Sequence, residues 1–171
     1  TYTAAIKSAG APMGFITEED NFADYPFIVA PAYQLIDQKL VGKWQKYVEN
    51  GGNLILTCRT GQKDKNGHFF EANWSAPIVP LIGADVEFFD MLVADVNGTV
   101  KAGENSYKWN TWADVLNPKK GTEVLATYED QFYKGNAAAT TRKLGKGTVT
   151  YVGVESNDGD FERQIVRTIY S

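Results

Sequence analysis

The sequence predicts an α/β fold: a largely parallel sheet flanked by helices, with antiparallel hairpin strands added to it. Two observations lead to this prediction. Residues 27–59 have the pattern of a strand, a helix and a second strand, and such a unit sets its two strands side by side and parallel. The last third of the chain has several short strand-like runs separated by turn residues, which is typical of hairpins.

The strand–helix–strand unit is well marked along the chain. Residues 27–30 are an apolar run between Pro26 and Pro31, which suits a strand buried on both faces. Asp37 can cap the following helix, because its carboxylate accepts a free backbone N–H at the positive end of the helix dipole. The helix has one apolar stripe, made of Leu40, Val41, Trp44, Tyr47 and Val48. Residues 50–52, Asn-Gly-Gly, end the helix, and residues 54–57 form the second buried strand.

The remaining elements follow from the same periodicity rules. Further helices are predicted at residues 2–9, 77–82 and 161–170. Further strands are predicted at residues 13–17, 86–93, 123–128, 137–143 and 148–153. Residues 107–116 fit either a strand or a short helix.

Length and charge limit the class of protein. A chain of 171 residues predicts a single domain, residues 1–171. Because it opens on a helix where an α/β pattern normally opens on a strand, we expect a fragment of a longer chain. The net charge of −4 comes without a basic stripe, which argues against nucleic acid or an anionic membrane as partner. No apolar run approaches the ~20 residues that a membrane span requires. The lone Cys58 leaves cytoplasm and periplasm both open.

Cys58 and His68 invite a nucleophile–base hypothesis, that of a stand-alone amidotransferase-like enzyme. Cys58 follows a buried strand, where a nucleophile elbow would lie. No Gly stands two residues before it, and no helix obviously follows. A packed thiol is therefore the preferred interpretation, because free Cys is among the most buried residue types.

The other candidates for chemistry are weaker. The acidic clusters at residues 18–24 and 158–162 fit solvated loops or helix starts better than a pair of catalytic carboxylates. We predict no catalytic residue, cofactor site or metal site in this chain. Trp74, Trp109 and Trp112 could form a sugar platform, which makes a carbohydrate-binding module a further alternative.

An ordered set of motifs resembles a known family. The motifs lie at residues 25–33, 47–52, 57–64, 112–116, 132–135 and 145–153. Together they resemble the middle, trimerisation domain of family 42 glycoside hydrolases, which are β-galactosidases. The resemblance implies a fold like class I glutamine amidotransferases, that is, a flavodoxin-like sheet. It also implies a homotrimeric parent whose β/α barrel, outside this chain, holds both catalytic glutamates and the β-galactoside substrate.

On this resemblance the domain's partners are its own catalytic barrel and neighbouring subunits. The polar loop at residues 59–75 is the candidate contact, since it leaves a strand end and carries apolar residues that need a partner surface. The interface candidates are Arg59, Asp64, Phe69, Phe70 and Trp74. Arg59 and Asp64 are expected to fix the base of the loop by hydrogen bonds. The alternative is that the apolar residues fold back on their own domain.

Overall fold

The computed structural model describes residues 1–170, which form nine strands in one sheet and four α-helices. The helices are α1 Tyr2–Ser8, α2 Gln38–Glu49, α3 Val79–Ile82 and α4 Asp160–Tyr170. The strands are β1 Phe27–Ala30, β2 Asn53–Thr57, β3 Ala84–Asp90, β4 Gly98–Ala102, β5 Asn105–Pro118, β6 Glu123–Tyr128, β7 Ala137–Leu144, β8 Gly147–Val152 and β9 Val154–Ser156. None of the helices within residues 1–170 has the length and apolar character to cross a membrane.

The predicted fold class is wrong. The strand order is β1-β2-β8-β7-β6-β4-β5-β3, and β9 pairs with β5 outside this path. Only the β1–β2 and β2–β8 pairings are parallel, and the others are antiparallel. An additional β5–β7 pairing closes β4, β5, β6 and β7 into a small barrel. The molecule is therefore mostly antiparallel with few helices, and it lacks the parallel, helix-flanked sheet of flavodoxin-like proteins.

The physical reason lies in the connections after β2. A parallel neighbour needs a long crossover, whereas two residues suffice for a hairpin. Only α2 acts as a crossover helix between consecutive strands that pair, β1 and β2. Two residues join β4 to β5 and two join β7 to β8, and both pairs are antiparallel. The hairpin signals in the last third therefore decide the fold class.

Most of the individual elements are as predicted. The Asp37 carboxylate accepts the N–H of Leu40 at 2.7 Å, and the whole predicted stripe of α2 is buried. Residues 107–116, left open above, lie within the strand β5. The strand predicted at residues 13–17 is wrong, because these residues join no strand of the sheet and Phe15 is 90% exposed.

Two apolar clusters lie on opposite sides of the parallel strands. Ile28, Leu54 and Leu56 belong to the cluster beneath α2 and α3. Val29 and Ile55, which alternate with them, point to the cluster that includes α1, α4 and the barrel interior. The carboxyl end of β2 therefore lies where the helical part of the molecule meets the barrel.

Candidate functional site

A buried carboxylate ties the end of β2 to two other strands. Asp114 of β5 is fully buried, and its Oδ2 accepts the backbone N–H of Arg59 at 2.9 Å and the Tyr151 hydroxyl at 2.7 Å. Its Oδ1 accepts the indole N–H of Trp112 at 2.8 Å. Arg59 adopts φ 68°, a left-handed conformation that is uncommon for a residue other than glycine. Asp114 thus holds β2, β5 and β8 together beneath Trp112.

The environment of Asp114 acts on its pKa in opposite directions. Burial raises the pKa, because a low-dielectric interior disfavours the charged form. The hydrogen bonds from Tyr151, Arg59 and Trp112 oppose this increase. Burial dominates, so the pKa of this carboxyl lies above its ordinary value. With donors on both oxygens, Asp114 serves as a structural acceptor.

Four aromatic side chains form a continuous group above this carboxylate, which we call the aromatic row: Phe69, Trp74, Phe89 and Trp112. The ring centroids of Phe69 and Trp74 are 5.7 Å apart. Trp74 lies 4.8 Å from Phe89, and Phe89 stacks on Trp112 at 4.4 Å. Phe69 is 56% exposed and Phe89 is 40% exposed, so the row lies at the surface. Such geometry is favourable for aromatic pairs, and it leaves the rings of Phe69 and Phe89 open to solvent beside the partly buried Trp74 and Trp112.

A cation stands at each end of the aromatic row. The Cζ of Arg59 lies 4.9 Å from the Trp112 ring centroid, and the Nζ of Lys63 lies 4.7 Å from that of Phe69. Both distances are within the range of a cation–π interaction. Within the described residues 1–170, neither cation forms an ion pair with a carboxylate. The row is therefore an apolar surface with a positive charge at both ends.

The structure brings together three of the five predicted interface candidates. Arg59, Phe69 and Trp74 meet in or beside the aromatic row. Both Phe70 and Trp74 also pack against the apolar cluster beneath α2, so these two apolar residues of the loop contact their own domain. Asp64 lies in a turn and accepts the backbone N–H of Asn66 at 2.8 Å and that of His68 at 3.0 Å. The hydrogen bond from the His68 backbone holds the pKa of Asp64 below its ordinary value.

The predicted set of interface residues omits Phe89, Trp112 and Lys63. The Phe88-Phe89 pair carried a usable signal, because adjacent strand residues point to opposite faces and one of the two then faces outward. The sequence suggests Trp112 only as a residue of a possible sugar platform. Its place in the row depends on the β3–β5 register, which sets Phe89 opposite Asp114.

The structure does not assemble the alternative sites. Cys58 is buried, and burial together with the charge of Asp114 raises the pKa of its thiol, which makes it a poor nucleophile. His68 lies at the surface with its Nδ1 3.6 Å from Asp64, and no hydrogen bond joins it to Cys58 within residues 1–170. Trp109 is fully buried in the second apolar cluster, so it cannot share a sugar platform with Trp74 and Trp112.

The structure thus presents a partly exposed aromatic surface at the junction of the helical part and the barrel, and within residues 1–170 Cys58 and His68 are not joined into a nucleophile–base pair. The chain belongs to the beta-galactosidase trimerisation domain family, whose profile matches residues 1–171. The resemblance inferred from the sequence motifs is thereby confirmed.

Similar proteins agree with this assignment. Beta-galactosidase BglY of Alicyclobacillus acidocaldarius is 32% identical over 164 residues, which cover 91% of this chain and 23% of BglY. Beta-galactosidase LacA of Lactobacillus acidophilus is 30% identical over 152 residues, which cover 89% of this chain and 23% of LacA. The structure of Gan42B, a GH42 beta-galactosidase from G. stearothermophilus, matches with a TM-score of 0.91 at 25% identity and covers 98% of this chain and 24% of that one. The chain thus spans about a quarter of the length of these relatives.

Proposed function

We propose that this chain is the non-catalytic trimerisation domain of a longer β-galactosidase that hydrolyses terminal β-galactosides. The match of the family profile to residues 1–171 is the observation that carries this proposal. On this proposal the catalytic carboxylates and the substrate site belong to a barrel domain elsewhere in the parent chain. The domain's partners are that barrel and the neighbouring subunits of a homotrimer.

We also propose that residues 1–171 are a single domain of that longer chain. Two features support this. One sheet runs through both the helical part and the barrel, so the two apolar clusters share strands. The relatives BglY and LacA are each about four times as long as the stretch that matches this chain.

The aromatic row is the proposed contact with a neighbouring subunit. Large exposed apolar patches mark interaction surfaces, and Trp and Arg are enriched among the residues that contribute most to binding. Arg59, Phe69 and Trp74 supply the contacts. Asp64 and Phe70 support the loop without contacting the partner. Asp64 fixes the turn of the loop, and Phe70 anchors the loop to the core.

The test is Trp74→Ala in the full-length protein, with light scattering over a dilution series. Truncating a central interface Trp costs ≥ ~2 kcal/mol per contact, so the concentration at which the trimer dissociates should rise at least about 30-fold. Phe132→Ala is the matched control, because Phe132 is an 83% exposed aromatic residue outside the row. A Trp74→Ala trimer that dissociates at the wild-type concentration would show that the row is not an assembly surface.

A further inference from the structure

The positive charges at the two ends of the aromatic row indicate the charge of the surface that covers it. We infer that the row docks against a carboxylate-bearing surface of an adjacent subunit, and not against the row of a second copy. This inference rests on the proposed function, and it adds the chemistry of the partner surface.

Arg59 stands at the Trp112 end of the row. Its guanidinium carries five N–H donors, yet within residues 1–170 its side chain forms no hydrogen bond or ion pair and lies over the face of Trp112. The acidic group whose charge it influences is Asp114, and both oxygens of that carboxylate already accept hydrogen bonds from other groups. The guanidinium is exposed, so its donors point to solvent or to whatever covers the row.

Lys63 stands at the opposite, Phe69 end of the row. A neighbouring lysine in the same loop, Lys65, forms an ion pair with Glu18. Lys63 forms none with the described residues, although its Nζ lies over the Phe69 ring. A bridge between Lys63 and Phe69 fixes this placement, because paired residues of an antiparallel bridge present their side chains on the same face. Both ends of the row therefore carry a positioned cation without a carboxylate partner.

Covering the row changes the hydration of both cations. A surface that closes over the rings removes water from Arg59 and Lys63, and a desolvated cation without a partner is strongly unfavourable. A carboxylate opposite each cation replaces the lost hydration with a charge-assisted hydrogen bond. Complementary charges of this kind also fix the orientation of the two surfaces.

Two copies of the row are not complementary to each other. Row against row would bring Arg59 and Lys63 close to their own copies, and like charges at an interface are unfavourable. A threefold ring is also built from heterologous contacts, in which two different patches of each subunit meet. The surface opposite the row is therefore a different patch, and its chemistry is acidic.

The experiment uses the full-length protein with Arg59→Gln and Lys63→Gln. Arg167→Gln and Lys101→Gln are the matched controls, because both residues are exposed and lie on other elements, α4 and β4. Sedimentation velocity over a dilution series at about 50 mM and about 500 mM NaCl gives the dissociation constant and its salt dependence. Glutamine at position 59 keeps the backbone N–H that donates to Asp114, so this variant retains that structural bond.

We expect the wild-type dissociation constant to rise with salt. Each row variant should raise it about tenfold at low salt and reduce its salt dependence, whereas both controls follow the wild type. If Trp74→Ala weakens the trimer but the charge variants match their controls, the row is an interface and the acidic partner is wrong. If Trp74→Ala also has no effect, the proposed assembly surface fails as well. Lower thermal stability with an unchanged dissociation constant would mean that the row docks on its own chain's catalytic domain, which would overturn the inference.

Discussion

The indole N–H of Trp112 donates to the carboxylate of Asp114 at 2.8 Å, two residues further along the same strand. This bond fixes the plane of a partly exposed ring on a fully buried carboxylate. The rigidity of the aromatic row therefore depends on a group that is inaccessible to solvent.

Asp114→Asn tests that dependence directly. The amide keeps the shape of the side chain but has only one acceptor oxygen, so at least one of the donors from Arg59, Trp112 and Tyr151 loses its partner. An unsatisfied buried donor costs about 1–3 kcal/mol of unfolding free energy. Urea unfolding monitored by tryptophan fluorescence measures this loss of unfolding free energy. Glu123→Gln, the same chemical change at an exposed position on β6, should remain within about 0.5 kcal/mol of the wild type.

The pH dependence of stability should also change in this variant. Burial raises the folded-state pKa of Asp114 above the ordinary 3.8. At pH values between the unfolded-state pKa and the raised folded-state pKa, the folded protein binds more protons than the unfolded chain. The contribution of Asp114 to the unfolding free energy therefore falls as pH rises through this range. Asn cannot titrate, so the stability advantage of the wild type over Asp114→Asn should be larger at about pH 4 than at about pH 7. An advantage that grows towards neutral pH would mean that the hydrogen bonds outweigh burial.

The Cys58 thiol should react slowly in the native fold. It is buried, and its raised pKa leaves little thiolate at neutral pH. We expect alkylation in native buffer to be at least about 100-fold slower than in denaturant. Cys58→Ser should lower the unfolding free energy by at most ~1–3 kcal/mol, the range for burying a hydroxyl without a full set of partners. Rapid, selective labelling of the native protein would instead indicate an activated thiolate.

Trp44 anchors α2 on the sheet. It is almost fully buried, and its ring packs edge-on against Tyr33 at 5.6 Å. Trp44→Ala should lower the unfolding free energy by about 3–5 kcal/mol, because it leaves a large cavity. Gln45→Ala is the control on the exposed side of the same helix, with an expected change within about 0.5 kcal/mol. Equal effects in the two variants would contradict the assigned helix face.

Local signals predicted most of the elements but not their assembly. Asp37 and the apolar stripe of α2 determine that helix within a dozen residues, so periodicity and capping are enough to find it. Pairing partners are a different matter. β5 pairs with β3, β4, β7 and β9, and no short-range pattern states which of these neighbours it meets. The predicted fold class is wrong for this reason: the parallel arrangement of the unit β1–α2–β2 does not apply to the rest of the sheet.

The residues of the aromatic row also divide into those that local sequence signals predict and those that depend on long-range strand pairing. Arg59, Phe69 and Trp74 were predicted because they share one loop with an unusual mixture of polar and aromatic residues. Phe89 and Trp112 come from two strands that are distant in sequence and meet through an antiparallel register. The strand predicted at residues 13–17 is wrong because composition alone does not make a strand. These residues have the composition of a strand, but within residues 1–170 they pair with no edge of the sheet.

The parallel pairing of β2 with β8 has a consequence for protein synthesis. It sets Leu54 against Val149, so one neighbour of β2 is not made until nearly the whole domain has left the ribosome. Until then the nascent chain exposes a hydrophobic strand edge, which is the type of surface that pairs with other chains. Contacts this far apart in sequence also slow folding. The nascent domain is therefore exposed to aggregation between the emergence of β2 from the ribosome and the emergence of the β7–β8 hairpin.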